Sequence, residues 1–285
     1  MWFVALPLAL YIAFFLFPSL MGIFYSFTDW SSRTAVNGLH FVGMQNYIDL
    51  FASNENYGQG IFNTFRFTIF SNIIKLVPAL FLAIMLQEGL RGRGLYRTIL
   101  YLPSILPFVI IGLIFRSILN YQNGLLNVGL EAIGLGFLRQ KWLSDLKVVW
   151  GSIFGVDAWR GIGYVMTIFL AGLNAIPRDY YEAAMIDGAG FWQKLRYVTL
   201  PMMKGAVMIN LVFGITYGLK VFDVVYVLPN GGPGHATEVI TTYSYQLYSS
   251  GKYGMSTALN TILLLITAVA GILVVRLMSR KETAV

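Results

Sequence analysis

The chain has no cysteine, which excludes disulfides, thiolate metal sites and a cysteine nucleophile and leaves the redox compartment undecided. Charge is scarce as well. Only 12% of the 285 residues are Asp, Glu, Lys or Arg, against about 25% in soluble domains, so an ordinary water-solvated surface is excluded. The two histidines, His40 and His235, stand in polar stretches without H-E-x-x-H or comparable ligand spacing, and each reads as a solvated loop residue rather than a metal ligand. No G-x-x-x-x-G-K-[ST] loop is present to cradle nucleotide phosphates, so the chain is not itself an ATP-hydrolysing motor. A G-x-S-x-G nucleophile elbow is missing too, and no cluster of acids, bases and nucleophiles supports an embedded enzyme.

What is abundant is apolar side chain, at 57% of the sequence. A membrane-crossing helix needs about 20 mostly apolar residues, and six segments supply them, at about 2–28, 61–87, 98–119, 156–176, 204–228 and 256–278. Because lipid offers the backbone no hydrogen bonds, such segments are helical. The pattern therefore predicts an all-α polytopic membrane protein, a single transmembrane domain over 1–285 with six transmembrane helices. The first segment exceeds the roughly 7–15-residue core of a signal peptide and lacks its basic start and cleavage site, so it reads as a span. Pro7, Pro18, Pro78, Pro103 and Pro107 fall inside three spans and predict bent helices around a cavity.

Six spans place both termini on one side of the membrane. One set of loops with the tail holds ten cations (Arg91, Arg93, Arg97, Arg178, Lys194, Arg196, Lys204, Arg276, Arg280 and Lys281), and the opposite set holds five (Arg33, Arg139, Lys141, Lys147 and Lys252). The positive-inside rule then makes the protein a multi-pass cell (inner) membrane component with both termini and the 177–203 loop cytoplasmic. The net charge of +7 reports this topology and implies no nucleic acid partner. Seven charged residues lie within or at the ends of spans: Arg66, Lys75, Arg116, Asp157, Arg160, Lys220 and Asp223. Asp157 with Arg160, and Lys220 with Asp223, stand three apart on a shared helix face and can pair locally. The set reads either as snorkelling interfacial charge or as a polar outer vestibule. Lys75, with eight uncharged residues before it and twelve after, must snorkel, pair or face water.

Gly151 with Gly155, and Gly214 with Gly218, have the G-x-x-x-G spacing that lets helices approach closely. Helix packing is the plain reading of both pairs. Tyr217 projects near the second stripe and could reach a cavity. Aromatic residues make up 15% of the chain, mostly lipid-facing or interfacial, and any that line a pathway could stack on sugar rings.

The longest polar gap reads IPRDYYEAAMIDGAGFWQKLRYVTLPMMK from 176 to 204. Pro177 suits a first helical position, Asp179 and Glu182 suit a helix N-terminus, and Gly188 suits a left-handed stop, so a short helix is predicted from about 178 to 187. Ala183 and Ala184 give it a low-relief face. Phe191, Trp192 and Tyr197 give the following half an aromatic one. Such a helix could dock in a partner's groove. The alternative, a helix resting on headgroups, does not explain acids at 179, 182 and 187 beside an anionic leaflet.

Glu182, Ala183, Ala184 and Gly188, followed after nine residues by Val198, Thr199, Leu200 and Pro201, resemble the EAA signature of binding-protein-dependent ABC importer permeases, with valine at 198 where isoleucine is usual. FVGMQNY from Phe41, YLPSILP from Tyr101, AGLNAIP from Ala171 and FDVVYVLPNGGPG from Phe222 extend the resemblance over nearly the whole chain, within the carbohydrate-uptake branch. The resemblance implies a type I importer-permease (MetI-like) fold in which the EAA helix is a cytoplasmic coupling helix, with Glu182, Ala183, Ala184, Asp187, Gly188, Leu200 and Pro201 at the ATPase contact. It further implies a second homologous permease, two ABC ATPase subunits that bind ATP and Mg, an extracellular or periplasmic solute-binding protein, and a sugar substrate. No cofactor or metal is expected in this chain. Matching positions carry the sugar pathway to Gly161, Tyr164, Gly214, Tyr217, Gly218 and Val221, with Tyr164 and Tyr217 expected to stack. The cations Arg66, Lys75, Arg116 and Arg160 keep a glycerol 3-phosphate or other organic phosphate cargo as an alternative. A secondary transporter would need an embedded ion site and perhaps an inverted repeat, and the sequence shows no such repeat.

Overall fold

The computed structural model describes residues 2–34, 38–52, 57–87 and 92–279; Arg91, Arg280 and Lys281 of the topological count lie outside the described residues. Among these the regular elements are helices, and one isolated β-bridge joins Thr28 to Phe41. In chain order they are α1 (Val4–Tyr25), which passes through a π-turn at Ile12–Leu16, α2 (Gln45–Ala52), α3 (Tyr57–Gln87), α4 (Arg93–Ile105), α5 (Phe108–Ile118) and α6 (Leu125–Ala132). There follow α7 (Val149–Asn174), α8 (Arg178–Ile186), α9 (Phe191–Met202), α10 (Lys204–Leu219), α11 (Asp223–Val227), α12 (Ile240–Ser249) and α13 (Tyr253–Ser279).

Four of these, α1, α3, α7 and α13, are long and apolar enough to cross a membrane unbroken. Two bent pairs, α4 with α5 and α9 with α10, bring the number to six if each pair is one span. The straight span expected at 98–119 is thus corrected to two helices meeting at 95°. The cause is local: Leu106 precedes Pro107, whose ring disfavours the α region for its neighbour, and Leu106 is extended with ψ 137°. Pro78, by contrast, sits inside an unbroken α3. The span expected at 204–228 also stops early, at Leu219. Phe222 leaves the helical region and Asp223 opens the separate α11, as an acid at a helix N-terminus favours. Lys220 and Asp223 therefore do not share a continuous helix face.

The chain divides into two compact units. In the first (Met1–Thr64 with Glu238–Ala268), the segment that begins FVGMQNY is tied down by its own polar groups. Val42 donates its backbone N–H to Phe27, and the buried Asn46 amide donates to the carbonyls of Ser26 and Thr28 at 2.8 and 2.7 Å. Trp30 packs against Tyr253, and Asn63 donates to the Glu238 carbonyl. Outside the spans, the Asp29 carboxyl accepts from the His40 backbone and from its ring, and the backbone bond holds it below the usual carboxylate range. His40 is thereby an exposed loop residue with a carboxylate partner.

The second unit (Phe65–Thr237 with Val269–Val285) contains α7 at its centre, its apolar core including Met166, Phe169 and Leu173 with Ala79 and Ala83 of α3. Between apolar helices in lipid, contact and close approach do the stabilising, so small residues mark the interfaces. Gly163 lies against α4, where an added Cβ would collide with the Leu100 carbonyl oxygen, and Gly172 meets Ala206 of α10. Gly151 has open space around its Cα. Gly163→Ala is accordingly expected to cost about 1–3 kcal/mol through forced backbone displacement, and Gly151→Ala to be neutral or slightly stabilising, both measured as changes in detergent-solubilised unfolding.

Candidate functional site

A cavity of about 360 Å³ lies inside the second unit, within the roughly 300–1,000 Å³ usual for small-molecule sites. Its walls come from α3 (Asn72, Lys75, Leu76), α4 (Ser104), α7 (Asp157, Arg160, Gly161, Tyr164, Val165) and α10 (Asn210, Phe213, Gly214, Tyr217). The α3 contribution follows from a polar stripe in an apolar helix: Thr68, Ser71, Asn72 and Lys75, spaced by three and four, fall on one face and are all buried.

Lys75 finds its partner across the cavity wall. Its ammonium pairs with Asp157 Oδ2 at 2.9 Å, with side chains only 8% and 2% exposed. Ser71 donates to the same oxygen at 2.6 Å, Tyr217 donates its hydroxyl to Oδ1 at 2.7 Å, and the Lys75 ammonium also stands 4.4 Å from the Tyr217 ring centroid. Gly161 makes room for this arrangement, since a Cβ there would lie 2.7 Å from Lys75 Cδ. A charge buried at membrane depth has to be paired, and this one is paired and fully hydrogen-bonded at the carboxylate.

The local pairing of Asp157 with Arg160 is not formed. Arg160 instead stands 5.1 Å over the Phe108 ring, its Nε buried and without a hydrogen-bond partner. Because α7 begins at Val149, seven residues before the expected start of the span, Arg160 also lies well inside the helix rather than at its outer end. Of the other cations, Arg66 stacks over Trp150 at 4.8 Å and Arg116 is not among the cavity residues.

Of the six pathway residues expected from sequence, Gly161, Tyr164, Gly214 and Tyr217 line this cavity. Gly218 and Val221 do not. Gly218 packs on α3, a Cβ there lying 2.7 Å from Thr68 Cα, and Val221 is buried beyond the end of α10. Gly214 presses against Asn72 in the same way, so the second G-x-x-x-G pair is a packing seam against α3, while a Cβ added at Gly151 or Gly155 would meet nothing among the described residues. Tyr164 presents an exposed ring, but Tyr217 is held by Asp157 and Lys75 and is not free to stack on both faces. Asn72, Ser104, Asn210 and Phe213 were not anticipated. The polar stripe on α3 is the signal by which Asn72 could have been found.

The second candidate feature is the loop between α7 and α10. Pro177 is extended and caps α8 from outside, one position earlier than a first helical residue, and α8 ends at Ile186. Gly188 takes a left-handed φ of 73°, and Ala189 donates back to the Ala184 carbonyl at 2.8 Å, closing the helix end. Glu182, Ala183 and Asp187 face outward with Ile186, which is 87% exposed; Ala184 is half-buried. Leu200 and Pro201 are exposed on α9, where Trp192 and Tyr197 are 75% and 72% exposed, and Tyr181 bonds to Thr199 to hold the two halves together. No group of three or more His, Asp or Glu suited to a metal occurs among the described residues.

The family described as binding-protein-dependent transport system inner membrane component matches residues 66–283. The chain belongs to that family. This inner membrane component is 33% identical over 261 residues to the trehalose/maltose transport system permease protein MalF of Thermococcus litoralis, covering 90% of this chain and 86% of that protein. It is 32% identical over 264 residues to the probable ABC transporter permease protein YurN of Bacillus subtilis, covering 92% and 89%. Among solved structures, a chain of a bacterial alginate ABC transporter in complex with an alginate pentasaccharide-bound periplasmic protein superposes with a TM-score of 0.84 at 26% identity, covering 99% of this chain and 94% of that one. The helical ABC-importer permease fold expected from the EAA resemblance is thus present, and the family is a membrane component of binding-protein-dependent transport.

Proposed function

We propose that this chain is the permease subunit of an ATP-binding-cassette importer that translocates a di- or oligosaccharide. A solute-binding protein outside the membrane delivers the sugar, a second homologous permease completes the pathway, and two ATPase subunits supply the work, binding ATP and Mg that this chain does not hold. Both termini and α8 face the cytoplasm. The observation that carries the reading is the cavity itself: a hollow between α3, α4, α7 and α10 with amide, hydroxyl and aromatic groups, the mixture a sugar's hydroxyls and apolar ring faces require. Relatives named for trehalose/maltose and for multiple sugars support that cargo.

Transport works by alternating access, and a switch of this kind needs contacts that differ between its two states. We place the driven contacts on α8: closure of the motors on ATP binding draws the coupling helices together and opens the cavity outward, and hydrolysis resets it. In proteoliposomes holding the complete assembly, labelled trehalose, maltose and longer maltodextrins presented with the companion binding protein are the cargo screen. At least one is expected to accumulate with ATP inside and not with the ATPase subunits omitted. Accumulation that survives their omission would make the protein a secondary transporter instead.

A further inference from the structure

Behind α8 lies a second cavity, of about 490 Å³, that the transport reading leaves unused. It opens where the spans end on one side of the second unit, at Gln87 of α3, Arg93 and Arg97 of α4, and Asn174 of α7. Among the described residues four cations line it (Arg93, Arg97, Arg178 and Lys194) and no acid does. None of the four takes part in an ion pair among the described residues, and Arg97 Nε is buried with no hydrogen-bond partner. The rest of the wall includes apolar side chains, among them Ile84, Met185 and Phe191.

Loop cations are expected on the inner face of any membrane protein, but not their convergence on one hollow. Cations gathered on one hollow favour an anion between them, and a buried guanidinium nitrogen without an acceptor is costly to leave unmade. The hollow is suited to an anion. Its apolar wall and its position at the ends of the spans select the kind of anion: an amphiphile whose charged group meets the arginines while its chains continue into the bilayer. Basic hollows between helix ends on the inner face are suited to acidic phospholipid headgroups.

We propose that this cavity is a binding site for an anionic phospholipid, its phosphate held by Arg97 and Arg178 with Arg93 and Lys194 around it. The lipid sits on the opposite side of α8 from the face assigned to the ATPase. Arg178, Tyr181 and Met185, spaced by three and four, turn toward the cavity, whereas Ala183, Ile186 and Asp187 turn away. Occupancy would therefore brace the coupling helix from behind without competing for its partner.

The test reconstitutes the full chain with its assembly into nanodiscs of phosphatidylcholine mixed with phosphatidylglycerol, releases it, and counts retained lipids by native mass spectrometry. Wild type is expected to keep phosphatidylglycerol in preference to phosphatidylcholine. The Arg97→Gln/Arg178→Gln double variant is expected to lose that preference by about thirtyfold, from about fivefold per basic residue removed. Lys141→Gln/Lys147→Gln, an equal charge change on the opposite loops, should retain it, and Arg97→Lys/Arg178→Lys should keep most of it, which separates lost charge from lost fold. Equal retention of both lipids, or unchanged retention in the double glutamine variant, would overturn the site. So would displacement of phosphatidylglycerol by millimolar inorganic phosphate, which would mark a soluble-anion site instead. Lipid retention is read without any transport, so a negative result here leaves the importer reading intact, and a failed uptake assay leaves the lipid site intact.

Discussion

An Asp157→Leu variant is expected to be about 3–5 kcal/mol less stable than the wild type, the loss typical when one partner of a buried ion pair is removed. Asp157 accepts from Lys75 and Ser71 on one carboxylate oxygen and from Tyr217 on the other, so its removal leaves a buried ammonium and two hydroxyls without their shared acceptor. The Tyr217 ring beside Lys75 supplies roughly 0.5–2 kcal/mol of cation–π attraction and does not replace a counter-ion. Lys75→Met is expected to cost less, because the orphaned carboxylate keeps two hydroxyl donors. Lys75→Met combined with Asp157→Leu is expected to recover most of the loss, since apolar replacement of a whole buried pair is often neutral. Unfolding titrated with SDS and followed by helicity gives the four stabilities of the cycle. Additive single-variant losses, with no recovery in the double variant, would mean that the two side chains do not depend on each other.

This ion pair also shows where sequence reasoning reached and where it stopped. Local signals were readable because their causes are local. The apolar lengths placed α1, α3, α7 and α13; the proline and glycine that bound α8 placed it to within one residue; and the isolation of Lys75 announced that it needed a partner. The partner itself was not readable, for Asp157 lies in another helix and the nearer candidate, Arg160, had the right spacing for a local pair. Spacing of three permits an i,i+3 contact; packing decides it, and here Lys75 enters through the gap that Gly161 leaves while Arg160 turns to Phe108. The same distinction explains the two pathway candidates that do not line this cavity. Gly218 and Val221 follow Gly214 at helical spacing, yet α10 ends at Leu219 and Gly218 is spent on close approach to Thr68, so neither meets the cavity. The break at Leu106 was implicit in Pro107, but its 95° magnitude depends on how α4 packs on α7.

Glu182→Ala and Ile186→Asp are expected to leave stability within about 0.5 kcal/mol of wild type, as surface substitutions do, while lowering binding-protein-stimulated ATP hydrolysis by about tenfold or more. Both side chains are exposed and face away from the lipid cavity, so no internal contact is lost with them. An apolar side chain as exposed as Ile186 on a one-residue ridge is suited to a pocket in a partner, where a central buried contact is worth about 2 kcal/mol or more, or roughly thirtyfold in affinity. Gly188→Val should behave differently. Its φ of 73° places a side chain in the left-handed region, costing roughly 1–2 kcal/mol for an L-residue and more for a β-branched one, so the helix end should reshape and both stability and coupling should fall. The diagnostic comparison is therefore within the loop: reduced copurification of the ATPase subunits with Glu182→Ala and Ile186→Asp at undiminished stability, against loss of both with Gly188→Val. Wild-type stimulation in all three would remove α8 from the transmission of work, because a helix that carries force between subunits must respond to the side chains with which it presses.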